Sequence, residues 1–542
     1  MKNLAISTAL ALIACATPAL AQEALTDRAA LERDLRVLAD DDMEGREAGT
    51  PGYDRAAAYV ADRFQSLGLQ PGGDDGGWLQ HFTLVQHSAA SDTRMALVGA
   101  DGRPQKIEYG EDFVGGGFAS AGDADGRGTV EAELVFVGHG LQIPSMGYTD
   151  LEGVDLEGKI AVWVFDLHEE ITDPLLSMHL LVTGAERFAN TGAVGSIMLF
   201  SDTLAQRIPF ERARSFFGNV GSTTWVGPDG VAFDDGGDLE FSLVASPDLT
   251  RQLLAGTQFD SDALAAAQRS GGDMPAFDIG KTVRVDYANA YEELAQTSNV
   301  IAVQPGSDPA YADQYVVVTA HLDHEGLQEG HSDTNDQLFN GAMDNATGVS
   351  TMMEMARVMS QDLPKRPIMY VALGAEELGL LGSSYHARNQ GIDDGSIVAN
   401  VNVDMPILTW PFSDVVAFGA DRSNLLAPVS AAVEGYGLEM VPDPNPDEGF
   451  FFRSDQYSYV RAGIPAVYVD LGFGNNGEPA QTDFLENHYH KPSDDASRLD
   501  FEQLGRFADV ATLVAINVAN MEERPAWRAD DFFGDVFGGP VQ

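Results

Sequence analysis

Short apolar runs rich in β-branched residues alternate with amphipathic stretches in the C-terminal half of the chain. The four clearest runs contain few polar positions and lie at residues 315–320, 368–373, 397–403 and 464–469. Such runs are typical of strands that are buried on both faces of a sheet. Residues 345–360 instead carry apolar side chains at helical spacing, as do residues 31–39 and 53–67 near the N-terminus. This alternation predicts an α/β fold in which helices cover both faces of a central sheet.

The middle of the chain has a different pattern of apolar and polar residues. Between residues 126 and 286, short β-like runs are separated by glycines, and few candidate catalytic residues occur. Because 542 residues exceed what one hydrophobic core usually fills, we predict an inserted domain at 126–286. The main domain would then comprise residues 22–125 and 287–524. Residues 525–542 are polar and glycine-rich around a few aromatics, which predicts a loose C-terminal tail.

The N-terminus has the features of an export signal at residues 1–21. A positive Lys2 precedes an apolar stretch, and the small residues Ala19 and Ala21 form a cleavage site before Gln22. The segment LIAC at 12–15 offers an alternative, in which Cys15 is lipidated and becomes the first mature residue. Either route predicts an exported protein, periplasmic or extracellular. No later segment offers the ~20 consecutive apolar residues that a membrane helix needs.

Composition removes several classes of chemistry. Cys15 is the only cysteine, so the exported chain would have no disulfide, thiol nucleophile or thiolate-bound zinc. The formal net charge is −51, and such a surface would repel nucleic acids and anionic membranes. We therefore expect no nucleic-acid partner.

Polar clusters follow the predicted strands. His321 and Asp323 come after the first strand, adjacent glutamates at 376 and 377 after the second, Asp404 after the third, and His490 lies downstream of the fourth. In open α/β sheets, ligands bind beyond the carboxyl ends of the strands. We therefore expect these separate segments to converge at one edge of the sheet.

The residue types in these clusters suit a site for two zinc ions. Imidazole and carboxylate groups bind Zn²⁺, and two ions can share one bridging carboxylate. Asp344, between a glycine turn and a predicted helix, is the natural bridge. One of the adjacent acids, Glu376 or Glu377, could bind metal while the other takes a proton from water, although spacing alone does not decide which. Asp323 could reach back and orient the His321 imidazole.

Five motifs, taken in order, resemble the M28 family of metallopeptidases, which includes bacterial aminopeptidases and glutamate carboxypeptidase. They are HLDH (321–324), GAMDNA (341–346), GAEELGL (374–380), NVDM (402–405) and YHKPSD (489–494). The resemblance covers roughly residues 299–520 and implies a zinc exopeptidase-like fold, with a mixed, largely parallel central sheet flanked by helices. Residues 148–165, with GAVG at 192–195, resemble a protease-associated (PA) domain, which identifies the β-rich insert.

The same resemblance implies a role for each site residue. Two zinc ions per chain would be held by His321, Asp344, Glu377, Asp404 and His490. Glu376 would be the general base, Asp323 would orient His321, and Tyr489 would help to stabilise the oxyanion. His324 and His488 would be no extra ligands. The chain departs from many relatives at Gln456, where they have histidine.

The expected function is that of a secreted di-zinc exopeptidase that hydrolyses terminal peptide bonds, with an aminopeptidase favoured. A hydroxide shared by the two ions, formed when Glu376 takes a proton from water, would attack the peptide carbonyl. A carboxypeptidase or dipeptidase is the alternative, for which Arg453 could bind a substrate carboxylate. A non-catalytic receptor-like protein or a single-zinc cyclase is a further alternative. The native metal, whether zinc, cobalt or manganese, and the oligomeric state stay open.

Overall fold

A computed structural model describes residues 24–542, apart from 90–91, 99–103, 123–125, 166–170, 213, 215–221, 272–273, 329, 331–335 and 393–394. The predicted signal peptide and Cys15 lie outside the described residues. Within them, no helix combines the length and apolar character needed to cross a membrane.

The chain folds into strands and helices that follow one another in mixed order. The strands are β1 (Gln70–Pro71), β2 (Leu79–Ala89), β3 (Arg94–Val98), β4 (Pro104–Ile107), β5 (Phe113–Gly117), β6 (Arg127–Phe136), β7 (Gln142–Ile143), β8 (Tyr148–Thr149), β9 (Ile160–Val164), β10 (Gly195–Leu199), β11 (Ser222–Val226), β12 (Phe241–Ala245), β13 (Phe277–Gln304), β14 (Gln314–His321), β15 (Gly326–Leu327), β16 (Leu338–Phe339), β17 (Ile368–Leu373), β18 (Ser396–Val403), β19 (Asp414–Phe418), β20 (Glu439–Met440) and β21 (Ala466–Leu471). The helices are α1 (Arg28–Leu38), α2 (Pro51–Ser66), α3 (Pro174–Thr183), α4 (Asp202–Arg207), α5 (Pro247–Leu254), α6 (Ser261–Ser270), α7 (Thr347–Met359), α8 (Leu381–Arg388), α9 (Leu426–Gly435), α10 (Gln456–Arg461), α11 (Gly477–Asn487), α12 (Phe501–Ala519) and α13 (Phe533–Phe537).

The central sheet has a parallel core. Its strand order is β11, β2, β13, β17, β14, β18, β21, β19 and β20, and the short strand β1 also pairs with β13. The four strands β17, β14, β18 and β21 run parallel. One face packs against α1, α2, α7, α9 and α12, and the other packs against α8 and α10. Because both faces are covered, the core strands are apolar almost throughout, as the sequence pattern predicted. The predicted α/β fold class is confirmed.

A second sheet is built from strands in the N-terminal half of the sequence together with β13. Its order is β4, β3, β13, β6, β9, β10, β12 and β5. The 28-residue strand β13 belongs to both sheets and joins them directly. Strands β3 to β5 precede residue 126, so this sheet contains more than the predicted insert. That the insert is a PA domain stays a prediction.

The prediction of a loose tail at 525–542 is wrong. Trp527 is completely buried, and its indole N–H donates to the carbonyl of Gly538. Phe532 and Phe533 are also buried, in a cluster that includes Phe451 and Tyr457. The few aromatics of this segment thus supply enough apolar area to fix it against the main domain.

Candidate metal centre

The predicted site residues converge at the carboxyl edge of the parallel strands. His321 ends β14, Asp404 directly follows β18, and Glu376 and Glu377 lie just beyond β17. Asp344 lies in a π-helical turn, Ala342–Ala346, directly before α7. His490 lies in the loop between α11 and α12. The prediction that these segments meet at one edge is therefore confirmed.

The donor atoms form two groups that share Asp344. In one group, Nε2 of His321 lies 3.2 Å from Oδ1 of Asp344 and 2.9 Å from Oδ1 of Asp404. In the other, Nε2 of His490 lies 3.2 Å from Oδ2 of Asp344 and 3.1 Å from Oε2 of Glu377. The two oxygens of Asp344 therefore face different imidazoles, which is the arrangement of a carboxylate between two cations.

The donor set fits a pair of zinc ions. Each group offers at least one imidazole and two carboxylates, with donor atoms within 4.8 Å of one another, and these are ligands that Zn²⁺ accepts. Nε2 of His490 is buried and makes no hydrogen bond within the described residues, despite the carboxylate oxygens close by. Several buried acids at one place also call for cations to balance their charge.

Electrostatics separate the two adjacent glutamates. Burial raises the pKa of Glu376 well above its usual value, and the carboxylates of Glu377 and Asp404 reinforce this shift. Burial acts in the same direction on Glu377, but the hydrogen-bonded imidazole of His324 and the nearby imidazole of His490 hold its pKa down at about 2. The surroundings therefore favour the protonated form of Glu376 and the anionic form of Glu377.

The structure corrects the predicted role of Asp323. Nδ1 of His321 lies 3.2 Å from the main-chain carbonyl oxygen of Asp323, and not beside its carboxylate. The carboxylate instead accepts the backbone N–H groups of Glu376 (3.1 Å) and Glu377 (3.3 Å). Because the main-chain oxygen already lies next to the imidazole, the Asp323 side chain is free to hold the loop that carries both glutamates.

Tyr489 and Arg453 lie together beside the donor groups. The Arg453 guanidinium donates to the Tyr489 hydroxyl over 3.4 Å. Burial raises the pKa of Tyr489 well above its usual value, and the charge of Asp344 adds to this, so the phenol stays protonated. Both residues line a pocket of about 30 Å³, which is also lined by His321, Asp344, Glu377 and Asp404.

A larger cavity of about 830 Å³ adjoins this pocket. Its lining includes Glu376, Glu377 and His490 on one side and residues 115–119 of the second sheet on the other. A cavity of this size, bounded by a group of perturbed carboxylates, is the default location for a bound substrate. The second sheet thus forms part of the wall of the site.

Sequence reasoning missed the residues that hold the site in place. Arg46 is completely buried and donates to the carbonyl oxygens of Leu38, Leu322, Asn340 and Gly341, over 2.6–2.9 Å. It thereby ties the segments of His321 and Asp344 to α1. The available signal was a lone arginine in the acidic, glycine-containing loop DDDMEGREAG.

Asp494, His324 and Gln456 also hold segments of the site in place. The two Asp494 oxygens accept the backbone N–H groups of Met343 (2.9 Å) and Asp344 (3.0 Å). His324 is buried, with Nδ1 2.7 Å from Oε1 of Glu377. Gln456, the departure from the M28 pattern, accepts from Asn402 and donates to a main-chain carbonyl. This glutamine therefore holds the end of β18 without facing the donor groups.

Four residues at or near the site have an unusual backbone conformation. Ala375, Leu380, Met405 and His490 all have positive φ angles, between 35° and 62°, which is uncommon for residues other than glycine. Each is a donor residue or lies within four residues of one. Strain of this kind persists where the surrounding contacts fix the chain, and it is typical of functional sites.

Comparisons with known proteins found a matching family and several relatives. The family model described as Peptidase family M28 matches residues 299–515. Aminopeptidase YwaD of Bacillus subtilis (strain 168) is 29% identical over 255 residues, which cover 44% of this chain and 50% of that protein. Aminopeptidase Y of Saccharomyces cerevisiae is 25% identical over 44% of this chain and 42% of its own length. The chain thus spans about half the length of these two curated relatives.

Among solved structures, an aminopeptidase from Aneurinibacillus sp. strain AM-1 matches with a TM-score of 0.41 and 22% identity, covering 90% of this chain and 93% of that one. The family model is the more specific finding, because its span contains all five predicted donor residues. The resemblance drawn from the motifs is confirmed, because residues 299–515 of this chain match the model of Peptidase family M28.

Proposed function

We propose that this protein is a zinc-dependent aminopeptidase with two ions per chain. His321, Asp344 and Asp404 would hold one ion, and Asp344, Glu377 and His490 would hold the other. The observation that carries this proposal is the placement of the two Asp344 oxygens, each within 3.2 Å of a different imidazole. Both relatives described above, YwaD and Aminopeptidase Y, are aminopeptidases by name, which favours removal of N-terminal residues.

Bound zinc would supply Lewis acidity, which polarises a peptide carbonyl and lowers the pKa of water. Glu376 would take the proton from the attacking water and deliver it to the departing amine nitrogen. The upward shift of its pKa, caused by burial, agrees in direction with this role, because it makes the carboxylate a better proton acceptor. Tyr489, held protonated, would donate its hydroxyl hydrogen to the oxyanion.

Substitution of the proposed base tests the mechanism. Glu376→Gln should lower kcat by about 10²–10⁴-fold while metal analysis still finds two zinc ions per chain. Glu434→Gln, an exposed change of the same type on α9, is the matched control and should retain full activity. Turnover close to that of the native protein in the Glu376 variant would refute the assignment.

A carboxypeptidase or dipeptidase is the second candidate, because Arg453 lines the same pocket and could pair with a substrate carboxylate. Peptides with a free, an N-acetylated or a C-amidated terminus separate the candidates when they are assayed with and without chelator. An aminopeptidase cleaves the amidated but not the acetylated peptide, and a carboxypeptidase does the reverse. A preparation that binds fewer than two zinc ions would favour a receptor-like protein or a single-zinc cyclase.

Export belongs to the same proposal and rests on residues 1–21. Mass spectrometry of the mature protein should find Gln22 at the N-terminus. A diacylated Cys15 would instead identify a lipoprotein.

A further inference from the structure

The two histidine donors differ in how far solvent reaches them. The side chain of His321 is 1% exposed, whereas that of His490 is 30% exposed. His321 ends a buried strand, but His490 lies in a loop, where its ring packs beside the rings of Tyr489 and His324. These ring contacts do not determine which tautomer the His490 imidazole adopts, so a polar partner must do so.

The second ring nitrogen of His490 has a carboxylate partner. While Nε2 faces the oxygens of Asp344 and Glu377, Nδ1 lies 3.1 Å from Oε1 of Glu325. The other oxygen of Glu325, Oε2, accepts a hydrogen bond from Nε2 of Gln328. One oxygen of Glu325 thus faces the His490 ring, and the other is held by Gln328.

We infer that Glu325 is a positioning residue that orients His490 and sets the zinc affinity of one ion site. This inference rests on the proposed function. A carboxylate that accepts the Nδ1 hydrogen fixes the tautomer in which the Nε2 lone pair is free to bind metal. It also makes the imidazole a stronger donor, as is usual for metal-binding histidines.

The other histidine is held differently, which makes the effect specific to one ion. Nδ1 of His321 lies beside the main-chain carbonyl oxygen of Asp323, a neutral acceptor that no side-chain substitution removes. Loss of Glu325 should therefore weaken the ion bound through Glu377 and His490, and leave the ion bound through His321 and Asp404 nearly unchanged.

The surroundings of Glu325 separate this role from a structural one. Gly326 packs so closely on Glu47 that an added Cβ would lie 2.6 Å from the Glu47 Cβ, so the chain at 325–326 is fixed by its backbone. The Glu325 charge also acts to raise the pKa of nearby Glu47, after the larger effect of burial. Removing the Glu325 charge relieves this repulsion, and we expect no loss of fold stability from it.

Competition between the metal-free protein and a chromophoric chelator for zinc tests the inference without reference to activity. Glu325→Ala should weaken one of the two binding steps by about 10–100-fold and change the other by less than threefold. Glu325→Gln should fall between Ala and native, because its amide oxygen still accepts the Nδ1 hydrogen but has no charge.

Asp483 provides a matched control. Its carboxylate lies 3.6 Å from Nε2 of His488, a histidine outside the donor groups. Asp483→Asn should leave both zinc affinities unchanged. All three variants should unfold at the native temperature in the presence of EDTA.

Two outcomes would overturn the inference. One is native affinity for both ions in Glu325→Ala, and the other is an equal weakening of both steps, which would mean that Glu325 supports the fold. Failure of the native protein to bind two ions would instead refute the proposed function, so the two failures are distinguishable.

Discussion

Replacement of Arg46 by methionine should destabilise the metal centre from a distance. The guanidinium contacts none of the proposed metal-binding atoms. It does contact carbonyl oxygens in the two segments that carry His321 and Asp344. Methionine is similar in length and apolar, so Arg46→Met removes the hydrogen bonds without opening a large cavity. The carbonyl oxygens that accept from Arg46 would then lie buried without a donor.

The magnitude follows from these acceptors. The Gly341 oxygen also accepts the N–H of Ala346, so up to three carbonyls lose their donor, at about 1–3 kcal/mol each. Part of this loss is returned, because burial of the guanidinium is itself unfavourable and lowers the pKa of Arg46 to about 10. We expect a net loss of about 2–4 kcal/mol in unfolding free energy. Arg46→Lys should also lose stability, because one ammonium cannot reach three separate segments.

Urea unfolding and hydrogen exchange, both in EDTA, measure this effect. The exchange of amides at 321–324 and 341–346 should accelerate in Arg46→Met, since local opening frees these segments first. Arg55→Met is the matched control, because Arg55 belongs to the same region but is exposed, and its unfolding midpoint should stay near native. An Arg46→Met protein with the same midpoint and the same local exchange as the control would refute the reasoning.

Two further predictions concern stability away from the site. Burial lowers the pKa of His386 to about 3 in the folded protein. In the unfolded chain, the same imidazole takes up a proton near pH 6.5. Stability should therefore fall as the pH drops below 6.5, by about 2 kcal/mol at pH 5, and urea midpoints at pH 7 and 5 should show a smaller fall in His386→Gln. Trp527→Ala should cost about 3–5 kcal/mol in thermal unfolding, whereas Val541→Ala, an exposed neighbour, should cost almost nothing.

The parts of the fold that could be predicted are those whose signal is local. The four apolar runs became β14, β17, β18 and β21, with ends within two residues of the predicted ones. A strand buried on both faces must be apolar at almost every position, and this requirement is visible in one short stretch of sequence. The donor residues could be predicted for a related reason, because they lie in loops directly attached to these strands or in short motifs.

The parts that were missed depend on contacts between distant segments. Strand β13 alternates polar and apolar positions over only part of its 28 residues, and its membership of two sheets has no local signature. Arg46 acts on a carbonyl 276 positions away, and Trp527 is buried by partners far from the tail. In each case the deciding energy is that of burying a group against a surface that a single stretch of sequence does not reveal.

The end of β14 shows why a motif can be recognised while its working parts are misassigned. Five consecutive residues, 321–325, each have a different role. His321 supplies an imidazole donor, and Leu322 offers its carbonyl oxygen to Arg46. Asp323 accepts the backbone N–H groups of both glutamates. His324 contacts the carboxylate of Glu377, and Glu325 faces the imidazole of His490. Side chains and main-chain groups share this work, so residue types alone do not reveal which group contacts which partner. The role expected of the Asp323 carboxylate belongs to its own carbonyl oxygen, because the main chain already lies where the imidazole needs an acceptor. A site built from one strand end in this way has its geometry fixed by the sheet, and the loop histidine at 490 is the donor that needs an added carboxylate.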